Sequence, residues 1–285
     1  MLHYQININN IYNIAFIYSY THTRINIVNM SFEPIRIGNT VIRRSKSNAS
    51  MYEITNEASP HLMKSIGDKA SFEATDVMTM RNYLKRNRHA TEMYVALRLV
   101  HDLGRQMQAL IETGRSIACI GVDDVIVVTH RTSDKFTHDS INDLDSTLGD
   151  ACMDPQFMFL NDHLIFEVDD DGTLYIDHAL PNGKSKSKSK SNSKSKSKYA
   201  FMSPELRHVL ESKSQPQSAE PLQVHFKTIY YSAAQLIIYF LLNVDRIPDD
   251  TADTEFMNPI KNTKLYWFLL RCLTPVPTER KYIYI

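Results

Sequence analysis

Apolar and polar positions along this chain follow two different periods, and the change of period divides it. From Phe32 to Ile66, short apolar runs bounded by polar turns predict strands at Ile35 to Val41, Met51 to Thr55 and His61 to Ile66. From Glu92 to Thr113 the period lengthens. Met93, Leu97, Val100, Gly104, Met107 and Ile111 recur at alternating spacings of four and three, Leu99, Leu103 and Leu110 widen the stripe, and Gly114 ends the helix so predicted. An apolar strand follows at Val125 to Val128. Farther on, Leu164 to Val168 and Thr173 to Ile176 flank Asp169-Asp170-Asp171-Gly172, an Asp-Gly signal for a hairpin. Thr228 to Leu242 is apolar on every face and predicts a fully buried helix, too short to span a bilayer. Leu265 to Leu273 predicts one more helix.

Composition narrows the class. A chain of 285 residues with 43% hydrophobic content buries a large core, as one domain of two lobes or as two small domains. Formal charge is zero, but seven lysines alternate with serine between Lys184 and Lys198; without them 25 basic residues face 32 acidic ones. A general nucleic-acid footprint is therefore absent outside that tract. The tract itself has nothing to bury and should be extended by self-repulsion, open to phosphorylation on serine or to nucleic acid by counterion release. Three cysteines, Cys119, Cys152 and Cys272, lie far apart without paired spacing, which argues against a disulfide framework or a zinc site and for a reducing compartment, cytoplasmic or nuclear, with no secretion. His130, His138 and His163 also lack ligand spacing. Residues 1–30 are rich in Asn, Ile and Tyr, and their run Ile14 to Tyr18 is too short for a membrane span; a disordered extension is expected.

Two landmarks organise the chemistry. Asp177-His178-Ala179 closes a short strand, and Ser203-Pro204-Glu205 opens a helical region some twenty polar residues later. The pair resembles the Asp-Phe-Gly and Ala-Pro-Glu motifs of protein kinases. Further landmarks fall in family order. His61-Leu62-Met63-Lys64 resembles the strand whose lysine neutralises ATP phosphates, Phe72-Glu73-Ala74 supplies a glutamate partner for Lys64, and Leu110 to Gly114 resembles the end of the long helix before the catalytic loop. Leu265 to Leu273 followed by Thr274 to Arg280 resembles the late helix and terminal arginine, and the resemblance implies an ion pair between Arg280 and Glu205.

The catalytic parts depart from the family. Arg43 to Ala49, in the place of the glycine-rich loop, contains no glycine; Ile117-Ala118-Cys119 stands where His-Arg-Asp belongs; Gly121 replaces a phosphate-contacting lysine. Asp124 takes the position of the second-metal Asn and keeps an oxygen ligand, while Asp123 beside it is a stand-in general base. Lys227 and Thr228 stand where an aspartate would brace the catalytic loop.

The resemblance thus implies an α+β, bilobal protein-kinase-like fold: a reduced β-rich small lobe over 31–88 and a helical large lobe over 89–285 with insertions at 129–162 and 181–198. It implies a pseudokinase acting as a regulatory or interaction module on a protein partner. At most it binds ATP weakly, through Lys64, Glu73, Asp124 and Asp177, with Mg²⁺ on Asp177 and Asp124. The alternative is an active divergent serine/threonine kinase with Asp123 as base in place of Cys119. A third reading is an unrelated α/β protein whose Lys/Ser tract docks on nucleic acid.

Overall fold

The computed structural model describes residues 33–56, 70–87, 93–131, 153–176, 201–212, 221–244, 247 and 254–282. Mixed α/β architecture is what it shows, and no helix among the described residues is long and apolar enough to cross a membrane. The predicted third strand, His61 to Ile66, lies outside the described residues, as do residues 1–30.

Four antiparallel strands form the first sheet: β1 (Ile35–Ile37), β2 (Thr40–Arg44), β3 (Met51–Asn56) and β4 (Ala70–Glu73), in that order. The run read as one strand from Ile35 to Val41 is a hairpin. Gly38, at φ +57°, and Asn39 make a two-residue turn that pairs Ile37 with Thr40, which moves Arg43 and Arg44 out of the loop and into β2.

The next strand, β5 (Asp76–Thr79), leaves the first sheet and pairs with β7 (Val125–Arg131), which pairs in turn with β8 (Met153–Phe159). β7 separates two hydrophobic cores. Val125 and Val127 face the larger core with Met78, Phe157 and Phe159, while Ile126 and Val128 face a smaller one with Ile37, Ile42, Tyr52, Ile54 and Val77. A strand buried on both faces reads as a continuous apolar run, which is why Val125 to Val128 carries no alternation. The register carries β7 and β8 as far as Arg131 opposite Met153, so residues 129–131 and 153–159 of the expected insertion are strands of this sheet.

Helix α1 (Met80–Arg86) follows β5, capped by the Thr79 hydroxyl, and α2 (Met93–Glu112) lies across β8. The exposed edge of β8 is not left to water. Asp102 accepts from the Phe157 N–H at 3.0 Å, and Gln106 accepts from the Phe159 N–H at 2.9 Å and donates to the Phe157 carbonyl at 3.0 Å. Gly114, φ +70°, ends the helix and leads into β6 (Arg115–Ile117).

β6 pairs with β9 (Ile165–Glu167), and β10 (Thr173–Ile176) pairs with β11 (Leu222–His225). The hairpin expected between β9 and β10 is therefore reduced to a single Val168–Leu174 bridge. Its turn is built as the Asp-Gly signal implies: the Gly172 N–H donates to the Asp169 carbonyl at 3.0 Å and the Thr173 N–H to the Asp169 carboxylate at 2.6 Å.

Helices α3 (Pro204–Ser212), α4 (Thr228–Leu242) and α5 (Lys264–Cys272) complete the larger core. α4 is buried on all sides, as its composition predicts, and ends at Asn243 in the left-handed conformation.

Candidate functional site

The loop from Ala118 to Asp124, between β6 and β7, and the loop from Leu160 to Leu164, between β8 and β9, are laced together. The Ala118 N–H donates to the Leu164 carbonyl at 2.9 Å and the Leu160 N–H to the Asp124 carbonyl at 3.0 Å. Residues 118–122 are all buried.

Two side chains fix the floor of this site. Asp124 and Asn161 are each only 3% exposed. One Asp124 oxygen accepts from the Asn161 amide at 2.6 Å, the other from the Gly121 N–H at 2.7 Å. Removing such a carboxylate strands a buried backbone donor and a buried amide, so Asp124→Ala is expected to cost about 3 kcal/mol of stability by urea denaturation. A loss below about 1 kcal/mol would mean that water reaches these donors.

The β1–β2 turn closes the roof. Asn39 donates to Asp162 twice, from its backbone N–H to one carboxylate oxygen and from its side-chain amide to the other, both at 3.0 Å. Thr40 adds a hydroxyl donor to the Leu160 carbonyl at 3.2 Å. Gly38 sits so close that a Cβ there would lie 2.4 Å from an Asp162 oxygen and 2.8 Å from Asn161 Oδ1. Every oxygen of Asp124 and Asp162 thus already accepts a hydrogen bond, and each faces donors. Among the described residues no group of three or more His, Cys, Asp or Glu can hold a metal ion.

No model of a known protein family and no curated protein matches the chain. The residues must therefore speak for themselves. Cys119 is fully buried; burial, with the Asp124 charge beside it, pushes its thiol far up, so it offers neither a thiolate nor a base. Asp123 is half-exposed, but both of its oxygens are gripped by Arg81 of α1, at 2.6 and 2.8 Å. A carboxylate held by a guanidinium fork is poorly placed to accept a substrate proton. Glu73 lies on the edge strand β4, exposed, accepting only from Ser50 Oγ at 3.3 Å. The sequence reading put it next to Lys64; Lys64 lies outside the described residues.

Asp177 and the tract Lys184 to Lys198 also lie outside them. What is described is β10, the strand preceding Asp177, and it runs along β11 with Ile176 opposite Leu222. The strand that leads to Asp124 is β8, whose continuation is Leu160-Asn161-Asp162. Asn161, in the stretch read as an insertion, is the residue joined to Asp124. The signal was present, since Phe157 to Leu160 is a mostly apolar run closed by Asn-Asp.

A second cluster holds the helical part. Glu205 and Arg280, 75 positions apart, meet through both carboxylate oxygens, one contact measuring 2.9 Å. Arg280 is 0% exposed, donates from Nε to the Thr274 carbonyl at 2.8 Å and from Nη2 to the Pro275 carbonyl at 3.1 Å, and lies 5.0 Å over the Tyr231 ring. Ser203 caps α3 through the Leu206 N–H at 3.3 Å, and its hydroxyl also bonds the buried hydroxyl of Thr228.

Burial opposes ionisation of Glu205, yet the hydrogen bonds and charge of Arg280 outweigh it and hold the carboxyl below its ordinary 4.5. A carboxyl depressed in the folded state contributes stability that is complete above the ordinary value and is lost as pH falls through the depressed one. Wild type should therefore lose stability from about pH 5 downward. Glu205→Gln, weaker at neutral pH, should show a flatter profile over the same window. Parallel acid slopes in urea titrations of the two proteins would remove this assignment.

Proposed function

We propose that this chain is a kinase-like protein that has given up phosphotransfer, a pseudokinase serving as a regulatory or interaction module for a protein partner inside the cell. The observation that carries this reading is the β1–β2 turn seated on Asp162 and Asn161. In protein kinases the first hairpin turn covers ATP phosphates, and the catalytic-loop Asn and the Asp-Phe-Gly aspartate hold metal beneath it. Here the corresponding turn, Gly38-Asn39, hydrogen-bonds the loop below instead. On that correspondence Asp124 and Asn161 exchange the two residue types, and the Asn161 amide donates to Asp124.

Further support comes from the packing. Ile37, Ile42 and Ile54 of the first sheet share one core with Val77, Ile126 and Val128, so apolar side chains fill the ground between that sheet and β7. Around the cleft the groups that would do chemistry are absorbed into structure: a buried thiol at Cys119, an arginine-bound carboxylate at Asp123 and an exposed Glu73. The order of elements and the Glu205–Arg280 pair agree with a retained scaffold.

The test is phosphotransfer from labelled ATP, with Mg²⁺ or Mn²⁺, to the protein itself and to casein. Wild type is expected to give no more product than Lys64→Met or Asp124→Asn. Turnover in wild type that both changes abolish would replace this reading with that of an active divergent serine/threonine kinase.

A further inference from the structure

Helix α5 carries the only tryptophan of the chain on its outer face. Trp267 is 55% exposed, held edge-on against Tyr266 with ring centroids 5.3 Å apart. Positions 264, 267, 271 and 274 follow at helical spacing and share a face. Lys264, Trp267 and Arg271 on it are exposed, and Leu270 and Thr274 beside them are half-buried. Leu270 and Thr274 in turn line an apolar cavity of about 170 Å³ shared with Phe256, Met257 and Pro275. Small-molecule sites run to about 300–1,000 Å³, so this one has room for a side chain, not a cofactor.

The charges on the outer face of α5 itself are one-sided, while exposed Glu255 stands between Thr254 and Phe256 on the other wall of the cavity. α5 has no acidic residue, and no carboxylate among the described residues pairs with Lys264 or Arg271. Lys264 moreover stands in the first helical turn, where the macrodipole disfavours a cation. An exposed indole between two cations, next to an apolar socket, lacks a partner that is acidic and carries one apolar anchor. Outside the Lys/Ser tract the chain is net acidic, 25 basic against 32 acidic residues, which makes this face an exception.

We infer that the α5 face docks a short acidic protein segment whose carboxylates lie against Lys264 and Arg271 and whose apolar side chain packs on Trp267 and enters the cavity. A second copy of this chain is disfavoured, because a two-fold contact would set these cations against their own counterparts. Nucleic acid is disfavoured because two cations neutralise too few phosphates for stable binding. The inference does not rest on the kinase reading and survives if that reading fails.

The test pans a phage-displayed random dodecapeptide library on the full-length protein, with counter-selection on the double variant Lys264→Glu/Arg271→Glu. Enriched peptides are expected to hold two or more Asp or Glu around one aromatic or aliphatic residue. A synthetic copy should shift the emission of Trp267 saturably, and the double charge reversal should weaken it at least about tenfold while leaving the urea midpoint unchanged. Enrichment without acidic bias, or equal binding to the double variant, overturns the inference. So does a Trp267 response confined to anionic vesicles or oligonucleotide, or self-association that the reversal abolishes.

Discussion

Arg280→Met is expected to lower the free energy of unfolding by about 3–5 kcal/mol, the cost typical of breaking a buried ion pair from one side. The change leaves Glu205 with no cation, frees the carbonyls of Thr274 and Pro275, and removes the guanidinium from the Tyr231 ring. Of these the stranded carboxylate dominates, because a neutral carbonyl that loses a donor costs about 1–3 kcal/mol and a charge costs more. Glu205→Gln should cost less than Arg280→Met, since the amide oxygen still accepts from Arg280. Combining Arg280→Met with Glu205→Leu should recover much of the loss, because apolar replacement of both partners removes the uncompensated charge. Urea unfolding of wild type, Arg280→Met, Glu205→Leu and the double variant gives the coupling directly. Near-additive effects would show that the two side chains do not depend on each other.

The second large effect is expected at Gly38. Valine there meets two penalties. A left-handed φ of +57° costs an ordinary side chain about 1–2 kcal/mol, and a branched one more. Its Cβ would also lie 2.4 Å from an Asp162 oxygen, and Asp162 cannot swing aside without giving up Asn39. Overpacking of this kind adds about 1–3 kcal/mol, for a total of about 2–5 kcal/mol. The hairpin can relieve the clash only by lifting, so the Asn39 amide should exchange with solvent far faster in Gly38→Val. A variant as stable as wild type, with the Asn39 amide still protected, would mean that the turn does not rest on this loop.

Sequence pattern and structure agree best where periodicity is long. The stripe from Met93 to Ile111 and the unbroken apolar run from Thr228 to Leu242 became α2 and α4, because a helix face or a buried helix is decided by residues close in sequence. Strand partners are not. Whether β9 joins β6 or β10 depends on segments about fifty residues apart, and no local signal separated these choices. Asn161 stands in a similar local setting, at the end of β8, and the sequence reading passed it over for Asp177. Gly38-Asn39 was the clearest missed signal: a two-residue turn dipeptide inside what read as one strand. The meeting of Glu205 with Arg280 had no local sign either and came only through the family resemblance.

On the proposed kinase-like reading, an exchange of Asp and Asn between positions 124 and 161 ties these observations to function. The amide at 161 donates to the carboxylate at 124 across the gap at 2.6 Å, while Asn161 Oδ1 is buried with no hydrogen-bond partner among the described residues. The buried pair and the docked turn above it stabilise the site in a closed arrangement, and binding nucleotide would require breaking both sets of hydrogen bonds. Whatever a protein with such a site does, its surface is the better place to look for it.

The most direct measurement is thermal unfolding followed across an ATP titration, with and without Mg²⁺ or Mn²⁺. A ligand at about 100 times its Kd stabilises the folded state by about 2.7 kcal/mol, a rise of several degrees for a protein of this size. Our account predicts a midpoint that stays level at millimolar nucleotide. A midpoint that climbs with ATP, and climbs further with the metal, would contradict the closed cleft on which the account rests.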